Sequence, residues 1–298
     1  MSNPMFKESL FEPPAGGATT LERQPAAPTA PWSPPPLGEP ATQWQAPPAG
    51  TIAGGGRMVE APGRSMTIGG TASVGLLMLA VLAVGAWIGW QQVTTTPAPT
   101  VTDPNAATAA ISSSAWLWGP LIVGFGLAIV TAFVPKLARF TALPYAFAEG
   151  LVLGVISHLY DSQSQGIAVQ ALLATAGVFL AMLALYGLRI LRATPRFVKG
   201  VVAATMGIAA MYLVGWIASM FGADSLRFWS SSSPLGIGVS VIIVLVAAFN
   251  LIIDFDMIER GARNRAPAHM EWYGAFSLMV TLVWLYLEIL RLLAKLRD

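Results

Sequence analysis

The chain has 298 residues, of which 55% are hydrophobic and 11% charged, and its mean hydropathy is +0.62. This composition is too apolar for a soluble globular protein. The net charge of +2 excludes a typical nucleic-acid-binding protein, and the absence of cysteine excludes disulfides and thiol chemistry. The two histidines lie far apart without a metal-ligand spacing. We therefore expect a membrane protein that is not an enzyme, with neither a cofactor nor a nucleic-acid partner.

Residues 1–65 differ in composition from the rest of the chain. They are rich in proline, glycine and alanine, and contain 13 of the 22 prolines. Such a segment buries too little apolar surface to offset the entropy cost of ordering. The sequence therefore predicts a disordered tail over residues 1–65 and a folded domain over residues 66–298.

Seven apolar segments follow the tail, each close to the roughly 20 residues that a helix needs to cross a bilayer. Helices are the only spanning structure of this length, because a barrel strand is about half as long. The prediction is an all-α, polytopic membrane protein, a bundle of seven transmembrane helices embedded in the lipid bilayer. The predicted segments are Thr71–Trp90, Ala115–Val134, Ala142–Tyr160, Gly166–Leu188, Val201–Phe221, Leu235–Ile258 and Met270–Leu293.

The charges of the loops predict the orientation. Basic residues concentrate in the loops after the second, fourth and sixth segments, and the alternate loops carry mainly aspartate. By the positive-inside rule, the N-terminus and the basic loops are cytoplasmic. One feature disagrees, because seven crossings place the C-terminus outside although it carries Arg291, Lys295 and Arg297.

Acidic residues inside the apolar segments are the candidate functional residues. Asp254 and Asp256 end the run that begins at Leu235, Glu288 lies within the last segment, and Glu149 lies in the middle of the third. An ionised acid at this depth costs roughly 2.5–3.5 kcal/mol, so such residues usually mark a path for ions or protons. Two structural alternatives stay open. Glu149 can be a protonated acid that links helices, and Glu288 can pair with Arg291 three residues later.

Several strings resemble the bacterial branch of the Bax inhibitor-1 family, also called the transmembrane Bax-inhibitor-motif family. The resemblance covers roughly residues 66–298 and a short N-terminal string, and it implies a multi-pass protein of the bacterial plasma (inner) membrane with seven helices. The strings are Ser2–Phe6, Tyr145–Ser157, Thr194–Phe197, Asp254–Glu259, Trp272–Phe276 and Val283–Leu293.

The resemblance also implies a pH-sensitive leak of calcium or other cations. Asp256 matches an acid on the sixth helix of that family, and Glu288 matches an acid on the last helix. Such acids share hydrogen bonds, and their protonation switches the pore. We expect Asp256 and Glu288 to meet within hydrogen-bond or one-water distance, with Asp254 or Glu149 as a secondary acid. Carboxylates brought together in this way are also suitable ligands for Ca²⁺.

Helix geometry complicates this pairing. If the last two helices meet near Ala266, Asp256 lies about 10 residues before the turn and Glu288 about 22 after it, a mismatch of roughly 18 Å. The two acids can meet if Pro267–Ser277 lies along the membrane surface. The last helix would then extend from about Leu278 to Lys295.

The sequence also bears on three other functions. A retinal protein needs a lysine in the middle of the last segment, and none is present there. An intramembrane aspartyl protease needs a second aspartate motif that the chain lacks. A non-conducting regulator that binds a membrane protease or another membrane protein stays open as the alternative to a channel.

Overall fold

The computed structural model describes residues 65–97, 107–222 and 231–297, which contain seven long helices. Each helix is long and apolar enough to cross a membrane, and the shortest, with 19 residues, spans about 28 Å. The predicted fold class is thereby confirmed, whereas the predicted tail lies outside the described residues except for Ser65. The helices are α1 (Ile68–Trp90), α2 (Ala115–Phe133), α3 (Ala138–Gln163), α4 (Ile167–Gly187), α5 (Pro195–Met220), α6 (Pro234–Arg263) and α7 (His269–Arg297).

A two-stranded antiparallel sheet, which was not predicted, lies between α1 and α2. Strand β1 (Val93–Pro97) pairs with β2 (Ala107–Ile111), so that Val93 lies opposite Ile111. The consecutive threonines of β1 favour an extended backbone because their side chains branch at Cβ. Hydrogen bonding between the strands satisfies backbone groups in this connection.

Local sequence signals set the starts of two helices. Thr194 and Ser233 cap α5 and α6 through side-chain oxygens that accept from the backbone N–H of Phe197 and Gly236. A proline follows each cap, at a position where no backbone donor is needed. The two helices therefore begin where the chain can satisfy its free N–H groups.

Helices α3, α6 and α7 supply most of the buried side chains of the bundle. Around α6 and α7 the core contains Leu251, Ile252, Leu285 and Leu290, all fully buried. In contrast, large apolar side chains on α1, α2, α4 and α5 are exposed on the protein surface. An apolar surface of this extent is normal for helices whose outer faces contact lipid.

Helices α1 and α3 approach each other through two pairs of glycines, as their small-xxx-small spacing predicts. A Cβ atom on Gly85 or Gly89 would lie 2.5 or 2.1 Å from the carbonyl oxygens of Phe147 and Leu151. On the facing helix, a Cβ on Gly154 would lie 2.1 Å from the Ala86 carbonyl oxygen. Because these neighbours are backbone atoms, no side-chain movement can make room for a larger residue.

Gly154→Leu is therefore expected to destabilise the bundle by about 1–3 kcal/mol or more, the usual cost of overpacking. The matched control is Gly177→Leu on α4, where an added Cβ meets no atom within 4 Å. Both changes replace a helical glycine by leucine, so their effects on helix propensity cancel. Thermal unfolding in detergent should show a lower melting temperature for Gly154→Leu alone. Equal melting temperatures would contradict the close packing.

The last helix differs from its predicted range. We expected it to begin near Leu278, after a segment along the membrane surface, but α7 is continuous from His269 to Arg297. That prediction was wrong because the early residues of α7 have partners inside the bundle. Met270 and Tyr273 are 4% and 3% exposed and pack with Ile258 of α6.

A candidate functional site between the last two helices

Asp254 is a buried acid at the contact between α6 and α7. It is only 6% exposed and lies about two thirds of the way along α6. Its two carboxylate oxygens accept hydrogen bonds from Ser277 Oγ and Thr281 Oγ1 of α7, both at 2.6 Å. Within the described residues, no Lys, Arg or His forms an ion pair with Asp254. Hydroxyl groups alone therefore stabilise this carboxyl group.

Contacts along α6 and α7 define how the two antiparallel helices are aligned. Asp254 lies level with residues 277–281, and Ser240 of α6 accepts a hydrogen bond from Lys295 of α7 at 2.7 Å. In an antiparallel pair without a shift, the residue numbers of facing positions have a constant sum, and here that sum is about 534 in both places. The alignment is therefore constant over a long stretch of the interface.

This alignment separates Asp256 from Glu288. Glu288 lies level with Val246 of α6, and Asp256 is about ten residues further along, which corresponds to roughly 15 Å of helix. The structure contains no hydrogen bond between the two acids. The expectation that they meet is not fulfilled in this structure, because α7 extends straight from His269. Asp254, expected as a secondary acid, is the one that contacts α7.

Asp256 and Glu259 lie near the end of α6 and have partners of their own. Asp256 forms an ion pair with Arg260, whose side chain is 53% exposed. Glu259 accepts a hydrogen bond from the Tyr186 hydroxyl and lies 3.7 Å from Arg263. Both acids therefore belong to a partly exposed helix end, where ion pairs contribute little to stability.

Glu288 belongs to a second polar cluster, which joins α7 to α5. Its side chain is 2% exposed and accepts hydrogen bonds from Arg291 at 3.0 and 3.1 Å. The Tyr212 hydroxyl of α5 donates to the same carboxylate at 2.7 Å and accepts from Arg291 at 2.7 Å. The local Glu288–Arg291 pairing left open above is thus present, and it includes a tyrosine from another helix.

Glu149 lies apart from the α6–α7 contact. It is partly buried in the middle of α3, and its carboxylate faces α2, where a Cβ on Gly124 would lie 3.4 Å from Oε2. The structure does not bring Glu149 together with Asp254 in one site. Within the described ranges, no group of three or more His, Cys, Asp or Glu residues is arranged to hold a metal ion.

Glu271 is a buried acid that the sequence analysis did not identify. It is 5% exposed in the first turn of α7, and its Oε1 accepts from Thr67 N and Thr67 Oγ1, both at 2.9 Å. A Cβ on Gly70 would overlap with this carboxylate. Thr67 and Glu271 are 204 positions apart, so no local pattern connects them. These hydrogen bonds connect the start of α1 to the start of α7.

The basic residues at the end of α7 have partners within the protein. Lys295 is 6% exposed and donates to Ser240 Oγ and the Gly236 carbonyl oxygen. Arg297 donates to the Gln165 carbonyl oxygen and the Gln170 side chain. The Lys295 charge is therefore solvated by protein groups, whereas Arg297 remains exposed at the end of the helix. Their conflict with the positive-inside rule was the sequence signal that could have indicated a buried lysine.

The fold and the buried acids define a class, a multi-pass membrane protein of seven helices with a carboxyl group between its last two helices. The chain belongs to the Bax inhibitor 1 like family, whose profile matches residues 3–298. No curated protein and no solved structure matches the chain. The family predicted from the sequence strings is thereby confirmed.

Proposed function

We propose that this protein is a pH-sensitive leak channel for Ca²⁺ or other cations, and that Asp254 is the acid that responds to protons. The observation that carries the proposal is the buried Asp254 carboxyl group at the α6–α7 contact. Membership of the Bax inhibitor 1 like family supports it, because the resemblance implies an acid-dependent calcium leak. The proposal involves neither a reaction nor a resident cofactor.

The surroundings of Asp254 make its charge costly. A buried carboxylate without a counter-charge is unfavourable, and two hydroxyl hydrogen bonds compensate only part of its lost hydration. A proton or a bound cation removes this cost. The other two acids of the predicted α6–α7 set, Asp256 and Glu288, each have an arginine partner. Asp254 is therefore the member of this set best suited to exchange a proton for a cation.

The oxygen atoms around Asp254 suit a hard cation in transit. Two carboxylate oxygens and the hydroxyls of Ser277 and Thr281 bring four oxygens together. Ca²⁺ takes 6–8 oxygen ligands, so this set would leave several positions for water. Such partial coordination favours brief binding along a path over permanent retention.

The direction of the pH response follows from the charge of Asp254. At acidic pH the carboxyl group is neutral and the closed contact between α6 and α7 is favoured. As the pH rises, loss of the proton leaves a buried charge, which favours states that admit water or a cation between the helices. The leak is therefore expected to increase from acidic to alkaline pH.

The experiment is Ca²⁺ flux into liposomes that contain the purified protein, measured over a range of pH on both sides of neutrality. We expect flux above that of protein-free liposomes, with a rise towards alkaline pH. K⁺ and Na⁺ under the same gradient test whether the path discriminates between cations. Absence of flux at every pH would contradict the channel and favour the non-conducting regulator of a membrane protein.

We further propose that the protein lies in the plasma (inner) membrane of a bacterium with its N-terminus in the cytoplasm. The resemblance to the bacterial branch of the family supports this membrane, and the basic character of the α2–α3, α4–α5 and α6–α7 connections supports the orientation. Because the chain lacks cysteine, the variant Arg265→Cys provides a single label site in the α6–α7 loop. A membrane-impermeant maleimide should label it only after intact cells are opened. Labelling of unopened cells would reverse the orientation.

A further inference from the structure

A small cavity lies at the end of the bundle, between the start of α3 and the start of α7. Its volume is about 160 Å³, below the roughly 300 Å³ at which pockets for drug-sized ligands begin. A cavity of this size can hold one compact polar group. Its lining residues are Arg139, Ala268, His269, Glu271 and Trp272.

Two positively charged side chains lie at this cavity, Arg139 in its lining and Lys136 close to His269. Lys136 and Arg139 lie close enough to His269 for their charges to act on its imidazole. Both side chains are exposed, and neither forms an ion pair with a carboxylate in the part of the chain that the structure describes. Two unpaired cations and an imidazole around one cavity favour an anionic ligand.

The one acid in the lining, Glu271, can offset only one of the two positive charges of Lys136 and Arg139. Oε1 of Glu271 already accepts two hydrogen bonds from Thr67, and the side chain is 5% exposed. The Glu271 carboxylate is held at the base of α1, against Gly70. The basic groups therefore remain available for a ligand.

Exposed apolar side chains lie at the end of α2 and the start of α3, close in sequence to the lining residue Arg139. Phe133, Leu137 and Phe140 are 69%, 40% and 61% exposed. The Arg139 guanidinium lies 4.4 Å from the centre of the Phe140 ring, so a charged group and a lipid-facing ring are neighbours. An anion bound here would lie directly beside a surface suited to acyl chains.

We propose that this cavity binds the phosphate of an anionic phospholipid, whose acyl chains lie along Phe133, Leu137 and Phe140. Arg139 can donate two parallel hydrogen bonds to phosphate oxygens, Lys136 adds a positive charge, and the imidazole of His269 can donate a further hydrogen bond. The cavity also lies at the N-terminus of α7, where the helix dipole favours a negative group. This site is independent of the cation path proposed above.

The test uses the full chain purified in detergent, with bound lipids counted by native mass spectrometry. The probes are phosphatidylglycerol, phosphatidylcholine with the same acyl chains, and inorganic phosphate. We expect phosphatidylglycerol to bind more tightly than phosphatidylcholine, and Arg139→Gln to weaken it about fivefold. Lys199→Gln is the matched control, because it removes an exposed charge at the same end of the bundle, outside the cavity lining.

Two results would overturn the proposal. If Arg139→Gln and Lys199→Gln weaken phosphatidylglycerol binding equally, the attraction comes from diffuse surface charge. If inorganic phosphate binds in an Arg139-dependent way while phosphatidylglycerol shows no advantage over phosphatidylcholine, the ligand is a soluble anion. Since Arg139 is exposed, its replacement should leave the fold intact, and an unchanged melting temperature without lipid checks this.

Discussion

Replacement of Asp254 by asparagine is expected to make the cation flux nearly independent of pH. Asparagine has almost the same shape and can still form hydrogen bonds with Ser277 and Thr281, but it cannot lose a proton. The charge that favours the hydrated state at alkaline pH is therefore absent, and the flux should stay near its acidic value. The measurement is the pH profile of Ca²⁺ flux in liposomes, compared directly with the unchanged protein.

Glu259→Gln is the control for this prediction. Glu259 is paired with Tyr186 and Arg263 at the end of α6, so its replacement should leave the pH profile almost unchanged. A normal profile in Asp254→Asn would show that another group senses the proton. If Asp256→Asn or Glu288→Gln flattens the profile instead, the acid pair expected from the sequence forms in a different state of the protein.

Arg291→Met is expected to cause the largest loss of stability among single changes in the polar clusters. It removes the cationic partner of Glu288, which is 2% exposed and cannot regain water. Breaking a buried ion pair costs about 3–5 kcal/mol, and the partial exposure of Arg291 places this case near 3. For a protein of this size, that corresponds to a decrease in melting temperature of about 6–12 °C in detergent.

A second variant separates the unpaired charge from lost packing. In a Glu288→Gln background the buried charge is absent, so Arg291→Met should cost clearly less than in the unchanged protein. Arg263→Met is the surface control, since that side chain is 65% exposed and should contribute within about 1 kcal/mol. An equal loss for Arg291→Met in both backgrounds would show that packing, not charge, explains its effect.

The sequence predicted the helices well because their signals are local. Each apolar segment overlaps one helix. The predicted Gly166–Leu188 exceeds α4 (Ile167–Gly187) by one residue at each end, whereas the predicted Val201–Phe221 begins six residues after the start of α5 (Pro195–Met220). The predicted ends of the helices were less accurate, because a helix can continue through polar turns beyond the apolar run. Residues Pro195–Gly200 of α5 are an example. The small-xxx-small spacing of the α1 and α3 glycines is typical of close helix contacts, but only the structure shows that these two helices pack through them.

The sequence predicted the residues of the site only in part, because the site is formed by contacts between residues that are distant in the chain. The sequence identified Asp254, Asp256 and Glu288 in the α6–α7 region but not Glu271, whose partner Thr67 lies 204 positions away. It favoured Asp256 over Asp254 as the acid that meets α7. A shift of two residues on a helix turns a side chain by about 200°, and only the packing of α6 on α7 decides which residue faces inwards.

The sequence by itself determined that the chain spans a membrane, with seven helices and acids at unusual depth, because hydrophobic length and the cost of buried charge are properties of each segment alone. The tertiary structure decided which partner each buried acid receives. Asp254 received hydroxyls, Glu288 an arginine and a tyrosine, and Glu271 the start of α1. The physical reason is that hydrogen bonds act over about 3 Å, and such distances are fixed only when helices far apart in the chain pack together.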